Sequence, residues 1–425
     1  MVSAITTLVG EELQGDRKWR GTVAAPNGSI YGIPNHARRV AKFNPLDKSI
    51  AEIGPDFGDD GWGKWCGGAM TDSGVIYCPL SDSDRGILKI DTNTDNVTEL
   101  DANLLPERGH GMWASCALAL DGCIYFMPHN ANHMMKLDPN NNDAMSSIGD
   151  GLGDERWKYS GTVIGIDGCV YGIPDSCSRI VKYDPINDIT SFVGEEADED
   201  FDCHGNGVLG RDGCIYAANK DGQVLKIDST NNFHCIVGNT VELDLYEIGW
   251  RDAILGMDGC IYWPPYRATQ ILKYDPHSNL TSLVGDHFEF YKFKWSGGCA
   301  APDGVIYCLP SNATRILTID PLKEYTLSLK NHMEEHPEKL GCFFHSSDDI
   351  PDDTNFDRAV TKFGKKKVLE LLEECMPPID RVCTVVNLYP FIIAASFKNS
   401  NVSVIYHLLR QMPSFANCSN HFSDV

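Results

Sequence analysis

The segment Asp121-Gly122-Cys123-Ile124-Tyr125 decides the fold of this protein, because it returns along the chain at nearly constant spacing. The steps between successive tyrosines of the copies are 46, 48, 46, 45, 46 and 45 residues. The seven tyrosines are Tyr31, Tyr77, Tyr125, Tyr171, Tyr216, Tyr262 and Tyr307. A repeat of about 40–50 residues made of β-type units is typical of a β-propeller. We therefore predict an all-β, seven-bladed β-propeller.

Each repeat contains up to four short apolar runs bounded by turn residues, which predicts four-stranded blades with strands a to d. In the seventh repeat, strand a lies near residues 297–301, strand b at 305–309 and strand c at 315–319. The Asp-Gly step between strands a and b suits a tight hairpin, because glycine accepts a positive φ. Asp-Pro steps such as Asp320-Pro321 indicate a second turn between strands c and d.

The N-terminal segment is predicted to close the ring. Residues 5–10 match the fourth-strand pattern of residues 280–285, yet they precede the first strand a. We expect residues 5–9 to form the outer strand of the last blade and to cover a sheet edge. The alternative is residues 325–329, which lie where a local fourth strand would fall.

The propeller pattern predicts a domain over residues 1–330, and the sequence changes character beyond it. Residues 331–354 are polar and acidic and indicate a linker. Residues 355–425 contain two helical hairpins, 36–37 residues apart, that resemble ankyrin repeats. Two such units bury too little surface to be stable alone, so we expect them to dock on the propeller or on another chain.

Composition excludes several classes of partner. The formal charge of −23 repels phosphate backbones and anionic membranes, so we expect no nucleic-acid partner and no membrane insertion. No segment reaches the roughly 18–20 apolar residues of a membrane span, and no secretory signal is evident. Cys123, Cys169, Cys214 and Cys260 hold one slot in successive repeats, and we interpret them as small buried residues. These features predict a reducing, cytoplasmic location.

Alternate loops of an up-and-down blade lie on the same side. The a–b and c–d turns form what we call the turn face, and the b–c loops with the d–a segments form the loop face. Variable loops on a rigid scaffold usually carry binding residues, which favours the loop face. Its candidates in the b–c loops are His36, Arg38, His129, His133, Tyr266, Arg267 and Arg315.

A large ring recurs nine residues before each turn glycine. The seven residues are Trp19, Trp65, Trp113, Tyr159, His204, Trp250 and Trp295. Inter-blade packing is the favoured interpretation, because every blade presents the same packing demand. A ring of stacking platforms for a sugar or another flat ligand is the alternative. His204 breaks the pattern and is the most suggestive member, although an ordinary hydrogen-bonded histidine is the favoured interpretation there too.

Metal, cofactor and nucleophile motifs are weak in this sequence. The acidic run at residues 195–202 lacks the spacing of a calcium loop, and the histidines lack a zinc motif. His204 and His110 are the weak metal candidates; we assign no catalytic residue and no cofactor. Lysines in strand c, such as Lys136, precede an Asp or Asn by two residues and predict ion pairs within each blade. A basic ring for an anion is the alternative.

Two resemblances extend this interpretation. The unit Asp258-Gly259-Cys260-Ile261-Tyr262, followed by residues 270–276 (Gln-Ile-Leu-Lys-Tyr-Asp-Pro), resembles repeats of an uncharacterised propeller family expanded in diatoms and related algae. The tail residues 387–396 and 404–410 resemble tails of that family, which implies a fold and an interaction role. The repeats are also similar to virginiamycin B lyase-type propellers, which use a metal with His and Glu at the ring centre; their catalytic residues have no matching positions here.

These patterns predict a non-enzymatic interaction scaffold. We expect it to bind a protein partner, or alternatively a glycan, through the loop face and the ankyrin-like tail. The alternatives are a metal-dependent lyase or hydrolase, with His204, His110, His129 or His133 as ligands, and a lectin that uses the tryptophan ring.

Overall fold

The computed structural model describes residues 5–58, 63–81, 85–197, 201–241, 249–289, 293–321 and 323. The chain divides into two compact units, Met1–Pro321 and Leu322–Val425. The predicted linker at 331–354, the ankyrin-like hairpins at 355–425 and the alternative closing strand at 325–329 lie outside the described residues.

The described chain forms seven four-stranded antiparallel sheets, which confirms the predicted seven-bladed propeller. The N-terminal strand is β1 (Thr6–Val9). Blade 1 comprises β2 (Trp19–Ala24), β3 (Ile30–Pro34), β4 (Val40–Phe43) and β5 (Ile50–Ile53). Blade 2 comprises β6 (Ala69–Met70), β7 (Val75–Cys78), β8 (Leu88–Asp91) and β9 (Asn96–Glu99), followed by a 3₁₀ turn at Ala102–Leu104. Blade 3 comprises β10 (Trp113–Leu118), β11 (Ile124–Pro128), β12 (Met134–Asp138) and β13 (Ala144–Ile148).

The remaining blades follow the same order. Blade 4 comprises β14 (Tyr159–Ile164), β15 (Val170–Pro174), β16 (Ile180–Asp184) and β17 (Ile189–Val193). Blade 5 comprises β18 (Val208–Leu209), β19 (Cys214–Ala218), β20 (Val224–Asp228) and β21 (Phe233–Val237). Blade 6 comprises β22 (Ile254–Leu255), β23 (Ile261–Trp263), β24 (Ile271–Asp275) and β25 (Leu280–Val284), and blade 7 comprises β26 (Cys299–Ala300), β27 (Ile306–Cys308) and β28 (Ile316–Ile319) with β1.

Strand β1 closes the ring as predicted. It pairs antiparallel with β28, from Thr6 opposite Ile319 to Val9 opposite Ile316. Blade 7 therefore takes its outer strand from the opposite end of the propeller sequence. This pairing covers an edge of β28 and joins the first blade to the last.

The core lies between neighbouring blades. In the middle strand b, five consecutive residues of β3, β11, β15 and β19 are buried, because both faces of each sheet pack on adjacent sheets. The innermost strands of neighbouring blades contact one another around the central axis, as β2 does with β26 and β10 with β14. The strands that begin on the loop face thus surround one channel.

The repeated Asp and Tyr of the motif form a hydrogen-bonded cluster on the turn face. In blade 3, Asp121 Oδ1 accepts the Cys123 backbone N–H at 3.0 Å, and Asp121 Oδ2 accepts the Tyr125 hydroxyl at 2.8 Å. Lys136 of strand c lies 3.0 Å from the same carboxylate. Burial acts to raise the pKa of Asp121, but Lys136 and these donors outweigh it and the pKa lies below its ordinary value.

The strand-c lysines form ion pairs, but with a different carboxylate from the predicted one. The expected partner was the acidic residue two positions later, whereas in blades 3 to 6 the partner is the a–b turn aspartate. The reason is that the b–c hairpin sets Lys136 directly opposite Tyr125, whose hydroxyl shares that aspartate. Blades 1 and 2 have Asn27 and Ser73 in the turn, and there Asp95 and Asp143 of the following blade replace the missing carboxylate.

The repeated cysteines are buried free thiols, as the sequence predicted. The set is Cys123, Cys169, Cys214 and Cys260. Burial raises the pKa of Cys123 to about 11 and that of Cys260 to about 12. These residues therefore act as small packing groups rather than as nucleophiles.

Candidate functional site at the central channel

A cavity of about 110 Å³ lies where the innermost strands begin, on the loop-face side of the channel. We call it the channel pocket. Glycine, alanine and serine supply much of its lining, including Gly67, Ala114, Ser160 and Gly298. Two arginines, Arg20 and Arg251, line it from blades 1 and 6. The pocket is thus a small space with a strongly polar wall.

The backbone places these residues by one repeated irregularity. The ring-bearing residue of blades 1, 3 and 4 pairs with the last proline of strand b, and the strand register then shifts before regular pairing resumes. In blades 2, 6 and 7 the ring residue forms an isolated bridge instead. A bulge of this kind re-aims a side chain. The residue after the ring, which is Arg20 in blade 1 and Arg251 in blade 6, lines the channel pocket.

The two arginines share one electrostatic environment. Among the described residues, neither guanidinium group forms a hydrogen bond or a salt bridge. Burial lowers the pKa of Arg251, and repulsion from Arg20 lowers it further. Burial also acts to lower the pKa of Arg20, but the neighbouring acidic groups Cys66, Tyr266, Asp252 and Asp175 together outweigh it and leave that pKa raised. The pocket therefore holds two guanidinium cations whose donors form no hydrogen bond with the described residues.

Two carboxylates lie in this region, and one of them, Asp252, also lines the channel pocket. Asp252 Oδ1 accepts the Asn206 backbone N–H at 2.6 Å. Gly297 has a φ of +92°, which side chains rarely allow, and a Cβ there would meet Asp252 Oδ2, so glycine leaves room for the carboxylate. Asp175, which is buried, has its Oδ1 3.0 Å from Nδ1 of His204, within ion-pair distance, but this oxygen accepts no hydrogen bond from the described residues. Both carboxylates reduce the positive potential without contacting either guanidinium group at salt-bridge distance.

His129 and Ser160 border the same region but are engaged with the backbone. His129 Nδ1 lies 3.0 Å from the Tyr159 carbonyl oxygen, and burial lowers the pKa of His129, so the ring is mostly neutral at neutral pH. Ser160 Oγ donates to the Cys203 carbonyl at 2.7 Å. A nucleophile needs a base within hydrogen-bond reach, and Ser160 is bonded to backbone oxygens instead.

An arginine–aromatic cluster extends outward from the channel pocket on the loop face. The Arg251 guanidinium lies 4.6 Å from the centre of the Tyr266 ring, and this ring is 4.9 Å from that of Phe293. Arg17 and Arg267 lie over the Phe293 ring at 4.9 and 4.8 Å. Three arginines and two aromatic rings thus occupy one part of an otherwise strongly acidic protein.

The repeated ring residues are buried between blades. Trp65 and Trp113 are fully buried and Trp19 and Trp250 are 4% exposed, with Tyr159 and Trp295 equally enclosed. Each indole N–H donates to a backbone carbonyl about half a repeat further along the chain. Trp65 donates to Gly86 at 2.8 Å, and Trp295 donates to Arg315 at 3.0 Å. These contacts fit the packing interpretation and leave no ring face open for stacking a sugar. His204, at the same position, contacts Asp175 instead.

The other predicted candidates are dispersed over the loop face. Arg38 forms a bidentate ion pair with Asp56, with a shortest N–O distance of 2.7 Å, and His133 Nδ1 lies 3.1 Å from Glu107 Oε1. Arg315 lies 3.7 Å from Glu12. His36 and Arg38 line a separate cavity of about 490 Å³ beside the N-terminal segment. His110 accepts a hydrogen bond from Asn130 through its carbonyl group. Of the predicted candidates, His129, His204, Tyr266 and Arg267 come together in or beside the region of the channel pocket.

Four buried lysines were missed by the sequence interpretation. Lys18, Lys64, Lys158 and Lys294 each precede a ring residue, and this repeated pair is the signal that could have found them. Their ammonium groups donate to backbone carbonyls of the loop face, as Lys18 does to Ala313 at 3.0 Å and Lys294 to Arg267 at 3.2 Å. Burial lowers the pKa of Lys18 and of Lys294 to about 8. These lysines hold the loops that surround the channel.

The described residues contain no group of three or more His, Cys, Asp or Glu side chains suited to hold a metal ion. The same part of the chain has no helix long and apolar enough to cross a bilayer.

Comparison with known proteins finds a similarity of fold but no match in sequence. The sequence matches no protein-family model and no curated protein. A streptogramin B lyase structure is similar over 75% of this chain and 98% of its own, with a TM-score of 0.61 and 15% identity. A virginiamycin B lyase from Staphylococcus aureus is similar over 74% and 99%, with a TM-score of 0.60 and 12% identity. A hydrazine synthase of Kuenenia stuttgartiensis is similar over 72% and 96%, with a TM-score of 0.56 and 11% identity. At these identities the similarity shows that the chain shares their propeller fold.

Proposed function

We propose that this protein is a non-catalytic interaction scaffold that binds a protein partner on the loop face of its propeller. The observation that carries the proposal is the arginine–aromatic cluster of Arg17, Arg251, Tyr266, Arg267 and Phe293. Arginine and tyrosine are enriched among the residues that dominate protein–protein binding energy. Because the rest of the chain is acidic, this local positive surface favours a partner segment that carries carboxylates.

The turn face offers much less chemical variety. Its a–b turns repeat one Asp–Tyr–Lys arrangement, and in each case these groups satisfy one another. A surface that is the same in most blades presents few features by which a partner could be recognised.

The ankyrin-like tail would add a second binding surface. We keep the proposals that nucleic acid and membranes are not partners and that the protein works in the cytoplasm, on the charge of −23 and on the free thiols.

A metal-dependent lyase is the alternative function, and the shared fold supports it. The residues do not fit that chemistry, because the described part of the chain lacks a three-ligand cluster for a metal ion. His204 is paired with Asp175, and His129 and His133 have separate partners. Stabilisation of the protein by a divalent cation, or turnover that a chelator abolishes, would favour the lyase. A tryptophan-ring lectin has less support, since those rings are buried.

Affinity capture tests the scaffold proposal. The full chain serves as bait in native extract, and Arg17→Ser is compared with Arg211→Ser. Both substitutions remove one exposed arginine, but Arg17 lies over Phe293 on the loop face and Arg211 lies in an a–b turn. We expect Arg17→Ser to reduce recovery of the specific partner several-fold and Arg211→Ser to leave it unchanged. Equal recovery with both variants would contradict a loop-face site.

A further inference from the structure

We propose that the channel pocket binds a small free anion, a carboxylate or phosphate compound, between the guanidinium groups of Arg20 and Arg251. This inference goes beyond the proposed function, because it concerns a small molecule inside the ring rather than a protein on the loop face. It rests on the placement of two cations around one cavity.

The first step is the state of the donors. A guanidinium group carries five N–H donors in a fixed fork, and a buried donor without an acceptor is costly. The Arg251 Nε atom is buried and has no hydrogen-bond partner among the described residues. The Arg20 guanidinium group likewise forms no hydrogen bond with the described part of the chain, although the Arg20 carbonyl accepts one from the Gly67 N–H. The part of the chain that the structure describes thus leaves guanidinium donors of both arginines available in the same cavity.

The second step is charge. Arg20 and Arg251 are half-buried and line the same cavity, so their guanidinium groups repel each other, and this repulsion contributes to the lowered pKa of Arg251. The neighbouring carboxylates do not remove this repulsion by direct pairing, since Asp252 is bonded to Asn206 and Asp175 faces His204. An anion with two or more acceptor oxygens would bond both groups and replace the repulsion by attraction.

The third step is size. The cavity of about 110 Å³ lies well below the roughly 300 Å³ at which drug-sized sites begin. It is nevertheless several times the space that one water molecule requires. Small side chains, such as Gly67, Ala114 and Gly298, leave that space open. Inorganic phosphate and short dicarboxylates therefore fit the pocket in size, and arginine forks match their oxygen geometry.

The test is direct binding of inorganic phosphate and of succinate to the full-length protein, by calorimetry and by thermal shift at constant ionic strength. We expect at least one of these anions to raise the melting temperature and to bind with a 1:1 stoichiometry. Arg251→Gln should weaken binding at least ~10-fold, as loss of a charge-assisted bidentate contact implies. Arg38→Gln, which removes a loop-face arginine paired with Asp56 outside the channel pocket, should bind like the wild type.

Arg20→Lys keeps the charge but loses the planar fork, and we expect affinity between those of the wild type and Arg251→Gln. Far-ultraviolet circular dichroism and melting without anion identify any variant that fails to fold, and Arg20→Lys keeps the test valid if Arg251→Gln does so. The proposal is overturned if neither anion stabilises the protein beyond chloride, or if affinity is the same in all variants. Binding of only an acidic peptide, without the free anions, would also overturn it. The partner-capture experiment instead compares Arg17→Ser with Arg211→Ser, and neither residue lines the channel pocket, so a negative result with the free anions does not decide that experiment.

Discussion

The buried ammonium group of Lys294 should make the stability of the propeller increase between about pH 7 and about pH 9.5. Lys294 is fully buried, and its Nζ atom donates to the Arg267 carbonyl at 3.2 Å. Burial lowers its pKa from 10.5 to about 8. The unfolded state therefore binds more protons than the folded state in this pH range, and the free energy of unfolding rises as pH rises.

The size of the effect follows from the two pKa values. With 10.5 in the unfolded chain and about 8 in the folded protein, the single titration adds about 1–2 kcal/mol to the free energy of unfolding between the two pH values. Replacing Lys294 by methionine removes the titrating group and keeps an unbranched side chain of similar length. The pH dependence of the variant should therefore be smaller than that of the wild type by this amount.

The assay is denaturant unfolding of the full chain at both pH values, followed by tryptophan fluorescence. Other titrating groups, including Lys18, occur in both proteins and cancel when the two pH dependences are subtracted. Lys273→Met is the matched control. Burial acts to lower the pKa of Lys273, but Asp258 outweighs it and the pKa is raised above 10.5. The stability that Lys273 contributes is thus present throughout this pH range and is lost only above it.

The control should consequently lower stability at both pH values and leave the difference between them unchanged. Equal pH dependence in wild type and Lys294→Met would refute the inference that a buried ammonium group pays a desolvation cost at this site. A reduced pH dependence in Lys273→Met would show that the double difference does not isolate Lys294.

Three further predictions follow from the packing. In a Trp62→Phe background, iodide should quench the fluorescence of Trp157 most strongly, because this residue is 56% exposed. The other tryptophans are at most 4% exposed: Trp19, Trp65, Trp113, Trp250, Trp263 and Trp295. Strong quenching that survives Trp157→Phe would contradict the burial of the ring residues. Thr7→Cys with Thr318→Cys should form a disulfide on mild oxidation, because these residues are directly opposed in the closing strand pair; Thr7→Cys with Thr162→Cys, in blade 4, is the control and should stay reduced. Tyr171→Phe should lower the free energy of unfolding by about 1 kcal/mol, since the hydroxyl bond to Asp167 is lost while Lys182 still pairs with that carboxylate; an unchanged denaturation midpoint would show that the hydroxyl is not a structural contact.

Much of the fold could be predicted because it repeats. The spacing of the Asp-Gly-X-Ile-Tyr motif gave the number of blades, and the similarity of residues 5–9 to a fourth strand predicted the closure that β1 makes with β28. Each of these predictions uses only neighbours along the chain or one repeated pattern. The packing role of the Trp ring was also favoured on the same ground, since one lattice position meets one demand in every blade.

The candidate site was harder to predict because it depends on exceptions to the repeat. Arg20 and Arg251 directly follow ring residues in the sequence, but the predictions made from that pattern concerned the rings alone. The buried lysines, such as Lys294, were overlooked for the same reason. The predicted partner of Lys136 was wrong because the hairpin places it opposite Tyr125 and thereby beside Asp121.

The sequence by itself determined the seven-bladed architecture, the face on which variable loops lie and the segment that closes the ring, because those properties follow from periodicity and turn chemistry. Only the tertiary structure decided that Arg20 and Arg251, which are 231 positions apart in the chain, line one cavity. The physical reason is closure: bending seven sheets around an axis brings the first and sixth blades to the same channel, and each arginine directly follows a ring residue after which the regular strand pairing is interrupted.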